Sequence, residues 1–125
     1  MKSHPKLKRL FLKYNRKYFD GRLPTDCVLL FTKRPDMMTT YFGEFNPCVY
    51  SEGEDEILIS NCVRNWPNTL KRTLLHEMVH YWLYIRPDVT YADRRNAKED
   101  DGKHGKRFNR EMLRLAKRGA FHGIW

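Results

Sequence analysis

One stretch of the sequence constrains the fold more than any other, and it runs from Pro67 to the Arg86-Pro87 pair. Its apolar residues recur at three- and four-residue steps, which is typical of a helix: Leu70, Leu74, Leu75, Met78, Val79, Trp82 and Leu83. Proline at the start and proline after the end suit the boundaries of that helix. A stripe this wide predicts a largely buried helix, so the rest of the chain must pack around it.

A polar patch interrupts this apolar helix. His76 and His80 lie one helical turn apart and Glu77 follows the first of them, which makes an H-E-x-x-H motif. Both imidazoles project from the same side, so both can reach one zinc ion. Glu77 can then take a proton from a water that the zinc activates and deliver it to a leaving amine. The motif therefore predicts peptide-bond hydrolysis; the alternative is two histidines on a partly exposed helix face.

A catalytic zinc needs a third protein ligand and an open coordination position. His4 lies at the start of the chain, where fraying is expected, and His122 lies near its end. His104 follows a long polar loop that can bring it back over the helix, so it is the preferred third ligand. A carboxylate can also complete a two-histidine site, and the rivals are Glu99, Asp100 and Asp101.

The remaining elements are shorter. Three- and four-residue spacing predicts an amphipathic first helix, whose stripe is Leu7, Leu10, Phe11, Tyr14 and Tyr18. Strands are predicted at 27–32, 39–45 and 56–60, with isoleucines alternating with other residues in the last. A helix with Phe108, Met112, Leu115 and Ala116 on one face is predicted from about 105 to 118, after a long loop. At 125 residues the chain is expected to form a single domain, 1–125.

Positive charge is concentrated at the two ends of the chain. The net charge of +9 divides into +8 for residues 1–35, −4 for 36–105 and +5 for 106–125. Solvated helix faces account for part of this imbalance, and a surface that follows phosphates accounts for it better. The candidate nucleic-acid contacts are Lys13, Arg16, Lys17, Arg110, Arg114 and Lys117. Tyr14, Tyr18 and Trp125 could stack on bases, although the two tyrosines also fit the packing stripe.

Other sequence features narrow the class of protein. No apolar run approaches the roughly 18 residues of a membrane helix, and the basic start precedes no apolar signal core. The expectation is an intracellular monomer without a membrane partner, in the cytoplasm or nucleoid, or in the nucleus if the source is eukaryotic. Cys27, Cys48 and Cys62 form no C-x-x-C pair and are expected to be reduced and mostly buried.

Three segments of the chain resemble the SprT-like domain, the zinc-metalloprotease domain shared with the Spartan DNA-protein crosslink proteases. The first is residues 10–24, LFLKYNRKYFDGRLP, the second is LLHEMVH at 74–80, and the third is HGKRF at 104–108 followed by Met112. The second and third together are specific, and the first supports them. The chain is similar to a minimal form of this domain, without the C-terminal zinc ribbon of many bacterial members.

The resemblance implies a fold class, a cofactor and a site. The implied fold is α+β and zincin-like, with a small mixed β-sheet on the active-site helix and basic helices at both termini. His76, His80 and His104 would hold one zinc ion, and Glu77 would be the catalytic base. An edge strand, with 41–45 as the candidate, would pair with an extended peptide. Spacing does not match the longer metzincin motif, since Leu83 stands where a glycine would be.

These observations predict a DNA-associated zinc endopeptidase that cleaves proteins bound or crosslinked to DNA. The DNA partner is expected to be single-stranded or distorted and bound without sequence preference. Two alternatives remain open: a nucleic-acid-binding module whose zinc is structural or catalytically idle, and a small-peptide metalloprotease without a nucleic-acid role. Tyr84, Tyr91 and the pair Arg94-Arg95 are candidate donors to the oxyanion.

Overall fold

The computed structural model describes residues 3–33, 42–48, 54–85 and 106–123. Over these residues the chain forms three α-helices, three strands and one 3₁₀ turn: α1 (Pro5–Tyr18), β1 (Val28–Thr32), β2 (Gly43–Asn46), β3 (Glu56–Ser60), the 3₁₀ turn (Asn61–Val63), α2 (Pro67–Ile85) and α3 (Lys106–Lys117). Each predicted element is present, and β3 and α2 have the predicted bounds. The predicted start of the second strand, 39–41, lies outside the described residues. No helix in the described ranges has the length and apolar character needed to cross a membrane.

The strands form one mixed sheet in the order β1-β3-β2. β3 is central, parallel to β1 and antiparallel to β2. The sequence predicts one buried face for β3, but Ile57, Leu58, Ile59 and Ser60 are all buried. A central strand has a partner along both edges, and its Ser60 side chain also caps the 3₁₀ turn by accepting from the Cys62 amide. The architecture is thus α+β, with the sheet, α1 and α3 packed around α2.

His4, near the start of the described residues, is tied to the sheet instead of fraying. The His4 amide donates to the carbonyl of Leu29 at 2.8 Å, and the His4 imidazole caps α1 by accepting from the Lys6 amide at 3.2 Å. The His4 ring meets Phe31 edge-on, with ring centroids 5.0 Å apart. The expectation that His4 lies in a frayed start is therefore wrong, because His4 has partners on both β1 and α1.

The turn after α1 is held by one buried amide. Asn15 donates from Nδ2 to the Leu23 carbonyl and accepts at Oδ1 from the Leu23 amide, both at 3.0 Å. Asp20 and Gly21 adopt positive φ angles of 54° and 71°, which reverse the chain between these partners. The segment 10–24 is therefore a helix followed by a clamped turn that leads into β1.

The three cysteines differ more in exposure than the sequence suggests. Cys27 is buried, Cys62 is partly buried and Cys48 is exposed, and none forms a disulfide. Burial raises the pKa of the Cys27 thiol well above its usual value, which keeps it protonated and unreactive. The expectation that they are mostly buried holds for Cys27 and is wrong for Cys48, which lies just beyond β2.

Candidate active site

The polar patch lies on the face of α2 that meets β2 and α3. Glu77 and His80 are 2% and 3% exposed, whereas 28% of the His76 side chain is exposed. The two imidazole centroids are 5.0 Å apart, and His76 Nε2 lies 4.0 Å from Glu77 Oε2. One turn of helix therefore gathers two imidazoles and a buried carboxylate, with the first imidazole facing the exterior.

Phe108 of α3 covers both histidine rings. Its ring centroid lies 4.8 Å from that of His76 and 4.6 Å from that of His80. These contacts restrict how the imidazoles can rotate, and they place the first turn of α3 at the site. The sequence pattern places Phe108 only on a packing stripe. Its spacing of four residues from His104 is the signal that could have linked it to the site.

β2 lies so close to α2 at Glu77 that no side chain fits at Gly43. A Cβ on Gly43 would lie 2.8 Å from Thr73 Cγ2, 2.9 Å from Glu77 Oε2 and 3.0 Å from Glu77 Cγ. Real Cβ atoms essentially never make contacts under 3.0 Å. Position 43 therefore requires glycine, because the backbone of β2 lies against Glu77 there. This backbone forms one wall around the carboxylate.

Aromatic residues continue this wall along the helix. Phe45 of β2 packs against Tyr81 and Tyr84, with centroid distances of 5.0 Å and 5.6 Å. Burial raises the pKa of the Tyr81 phenol, so its hydroxyl stays neutral. Tyr84 follows His80 by one turn, and its hydroxyl lies 4.0 Å from Cys48 Sγ. Of the candidate oxyanion donors, Tyr84 thus shares the histidine face of α2, while 91 and 94–95 lie outside the described residues.

The donor set of α2 fits two of the three protein ligands of a catalytic zinc. Imidazole nitrogen is a preferred zinc ligand, and the i, i+4 spacing presents both rings from one helix face. His104, Glu99, Asp100 and Asp101 all lie outside the described residues. Within the described ranges, no three His, Cys, Asp or Glu side chains are grouped closely enough to hold a metal ion. Exposed His122 lies in the turn after α3.

The candidate nucleic-acid contacts fall into two groups. Most are exposed on α1 or α3, namely Lys13, Arg16, Lys17, Arg110 and Lys117. Arg114 is half-buried: it donates to Glu111 Oε2 and to the Tyr18 carbonyl, both at 2.7 Å, and lies over the Phe19 ring. Arg114 therefore joins α3 to the end of α1, and its guanidinium forms intramolecular hydrogen bonds.

The α+β fold and the H-E-x-x-H helix under its sheet define a metallopeptidase-like domain. The chain belongs to the SprT-like family, whose model matches residues 7–122. Searches of curated proteins and of solved structures give no significant match. The family match covers nearly the whole chain and includes all three segments on which the resemblance rests.

Proposed function

We propose that this protein is a zinc-dependent endopeptidase that cleaves proteins bound or crosslinked to DNA. The observation that carries the proposal is the buried carboxylate of Glu77 beside two imidazoles on one turn of α2. Burying a charged or polar group is unfavourable unless it is compensated, and here the groups are those a metallopeptidase uses.

His76, His80 and His104 would hold the zinc. Zinc, when bound, supplies a Lewis acid that polarises the peptide carbonyl and lowers the pKa of water. Phe108 supports this assignment, because its contacts with both imidazoles bring the first turn of α3 to the site, and His104 precedes that helix by two residues. Glu77 would accept a proton from the attacking water and deliver it to the amine that leaves.

The substrate would bind as an extended strand along β2. In the described part of the chain, β2 pairs with β3 along one edge and with no strand along the other. The Ser60 amide donates to the Phe42 carbonyl at 2.7 Å, so by antiparallel alternation the peptide groups of Gly43 and Phe45 face the outer edge. A peptide added there would run beside Glu77, which Gly43 nearly touches.

DNA would deliver the substrate instead of being cut. The support is the positive charge of the terminal segments, +8 over residues 1–35 and +5 over 106–125, much of which comes from side chains exposed on α1 and α3. Phosphate contacts of this kind bind with little sequence preference and weaken as salt increases.

The test incubates zinc-loaded protein with a DNA-binding protein substrate, with and without single-stranded DNA. Wild type is expected to cut the substrate, faster with DNA, and the Glu77→Gln variant is expected to lose cleavage while keeping zinc. Metal analysis of wild type and of the His104→Ala variant tests the third ligand, since loss of one ligand should lower the zinc content. Cleavage by Glu77→Gln at the wild-type rate would refute the proposal, and no cleavage by the zinc-loaded wild type would favour a nucleic-acid-binding module with an idle zinc.

A further inference from the structure

Trp66 is the most exposed of the large apolar residues in the described part of the chain. It is 65% exposed, at the turn that leads into α2. Its backbone is fully used there, since its amide donates to the Val63 carbonyl and its carbonyl accepts from the Leu70 amide. This backbone role places no demand on the side chain, so the local fold does not explain why a large aromatic ring is displayed to solvent.

Trp66 lies in the segment 61–75, which, like α1, carries basic residues and no acidic ones. α1 and residues 61–75 together carry nine basic residues and no acidic ones: Lys6, Lys8, Arg9, Lys13, Arg16, Lys17, Arg64, Lys71 and Arg72. Lys6 Nζ donates to the Arg64 carbonyl at 3.3 Å, which brings the first turn of α1 to the Trp66 turn. Lys71 Nζ lies over the rings of Tyr14 and Tyr18, so the two segments stay in contact further along.

The electrostatic potential around His4, which contacts Arg64 beside the Trp66 turn, is positive. The pKa of His4 is lowered from its ordinary value, first by burial and then by the charges of Arg64, Lys6 and Arg9. The Arg64 guanidinium lies over the Phe31 ring and its Nη2 is 3.1 Å from His4 Nε2. Several cations therefore converge near the Trp66 turn.

We propose that Trp66 is a stacking platform for one unpaired base of single-stranded nucleic acid, whose phosphates are held by Lys6, Arg64 and their basic neighbours. An aromatic plane beside a cationic track is the combination that binds single strands without sequence preference. A protein-docking surface fits less well, because the residues that flank Trp66, at 64–65 and 67–68, are all exposed and mostly polar. The site deepens the proposed function, on which it rests for the nucleic-acid partner.

The experiment measures binding of a fluorescent oligothymidylate by anisotropy and by quenching of tryptophan emission. Trp66→Ala is expected to weaken binding by about 5- to 150-fold, the range found for loss of one stacked base. Trp66→Phe should keep most of the affinity but lose most of the quenching. Leu113→Ala, which removes another exposed apolar side chain (55% exposed) from α3, is the matched control and should bind as wild type does.

Salt and strandedness provide the second readout. Arg64→Gln should reduce the slope of log affinity against log salt by about 0.7, the value expected for one contact to a single-stranded phosphate. A duplex of the same sequence should bind more weakly, and Trp66→Ala should not change that binding. Wild-type affinity in Trp66→Ala, or equal affinity for single strand and duplex, would overturn the proposal. Thermal unfolding of each variant confirms that it is folded.

The two proposals fail in different ways. If wild type does not bind the oligonucleotide but cleaves protein in a Glu77-dependent manner, the stacking site is wrong and the peptidase stands. If binding depends on Trp66 while Glu77→Gln cleaves as wild type does, the stacking site stands and the peptidase is wrong.

Discussion

Replacing Gly43 with alanine tests how β2 positions the carboxylate of Glu77. The added Cβ would lie 2.8 Å from Thr73 Cγ2 and 2.9 Å from Glu77 Oε2, so either the strand must move or the carboxylate must rotate. Overpacking of this kind costs about 1–3 kcal/mol of stability. Displacing a catalytic group by about 1 Å can lower the rate by about 100-fold. Gly43→Ala should therefore lower both the free energy of unfolding and the cleavage rate.

The two losses can be separated with two further variants. Val63→Ala removes buried apolar volume from the 3₁₀ turn and should cost about 2 kcal/mol, without touching the polar patch. Adding Thr73→Ser to Gly43→Ala removes the Cγ2 contact but leaves both contacts with Glu77. We expect this double variant to regain stability but to remain slow.

The assay is protein cleavage at a temperature where every variant is fully folded, with stability measured by urea unfolding. Val63→Ala should cleave at close to the wild-type rate there, because its defect is in stability alone. A Gly43→Ala variant that cleaves as fast as Val63→Ala would refute the reasoning, since the strand would then have moved without disturbing Glu77.

Three other variants or treatments test the surrounding fold. Asn15→Ala should lower the free energy of unfolding by about 1–3 kcal/mol in urea melts, because the Leu23 amide and carbonyl would lose their buried partner; an unchanged melt would contradict the clamp. Exposed Cys48 should react with a thiol reagent in the native protein, whereas buried Cys27 should react only after unfolding, and equal rates would contradict that burial. The lowered pKa of His4 means that the unfolded state binds more protons, so stability should fall as pH decreases below about 6.5. His4→Asn keeps a capping side chain and should reduce that loss, as seen in melts across this pH range.

Local patterns predicted the elements that carry the site. The bounds of α2 follow from its apolar stripe and two prolines, and the H-E-x-x-H spacing alone places His76 and His80 on one face. Those features depend on residues within one or two turns of each other. Periodicity is therefore enough to predict them before any tertiary contact is known.

Contacts between distant segments could not be predicted in the same way. The approach of Gly43 to Glu77 depends on where β2 lands on α2, 34 positions along the chain. The position of His4 likewise depends on β1, because the His4 amide donates to the Leu29 carbonyl. The sequence shows no sign of this contact, and chain ends are generally expected to fray. The hydrogen bond from Arg114 to the Tyr18 carbonyl depends on where α1 lies. Helix periodicity alone predicts that Arg114 is another surface cation.

The proposed base platform lies immediately before the helix that carries the proposed catalytic base, which sets a minimum length for the peptide between DNA and the cut. Trp66 precedes Glu77 by eleven residues, and at 1.5 Å per residue this is about 16 Å along α2. An extended peptide covers about 3.3 Å per residue, so about five residues are needed to reach from a base at Trp66 to the carboxylate. If both proposals hold, digestion of a protein crosslinked to a single strand should leave at least about five residues on the DNA. Mass spectrometry of the remnant measures this length directly, and remnants of one or two residues would show that the strand passes closer to Glu77 than Trp66 does.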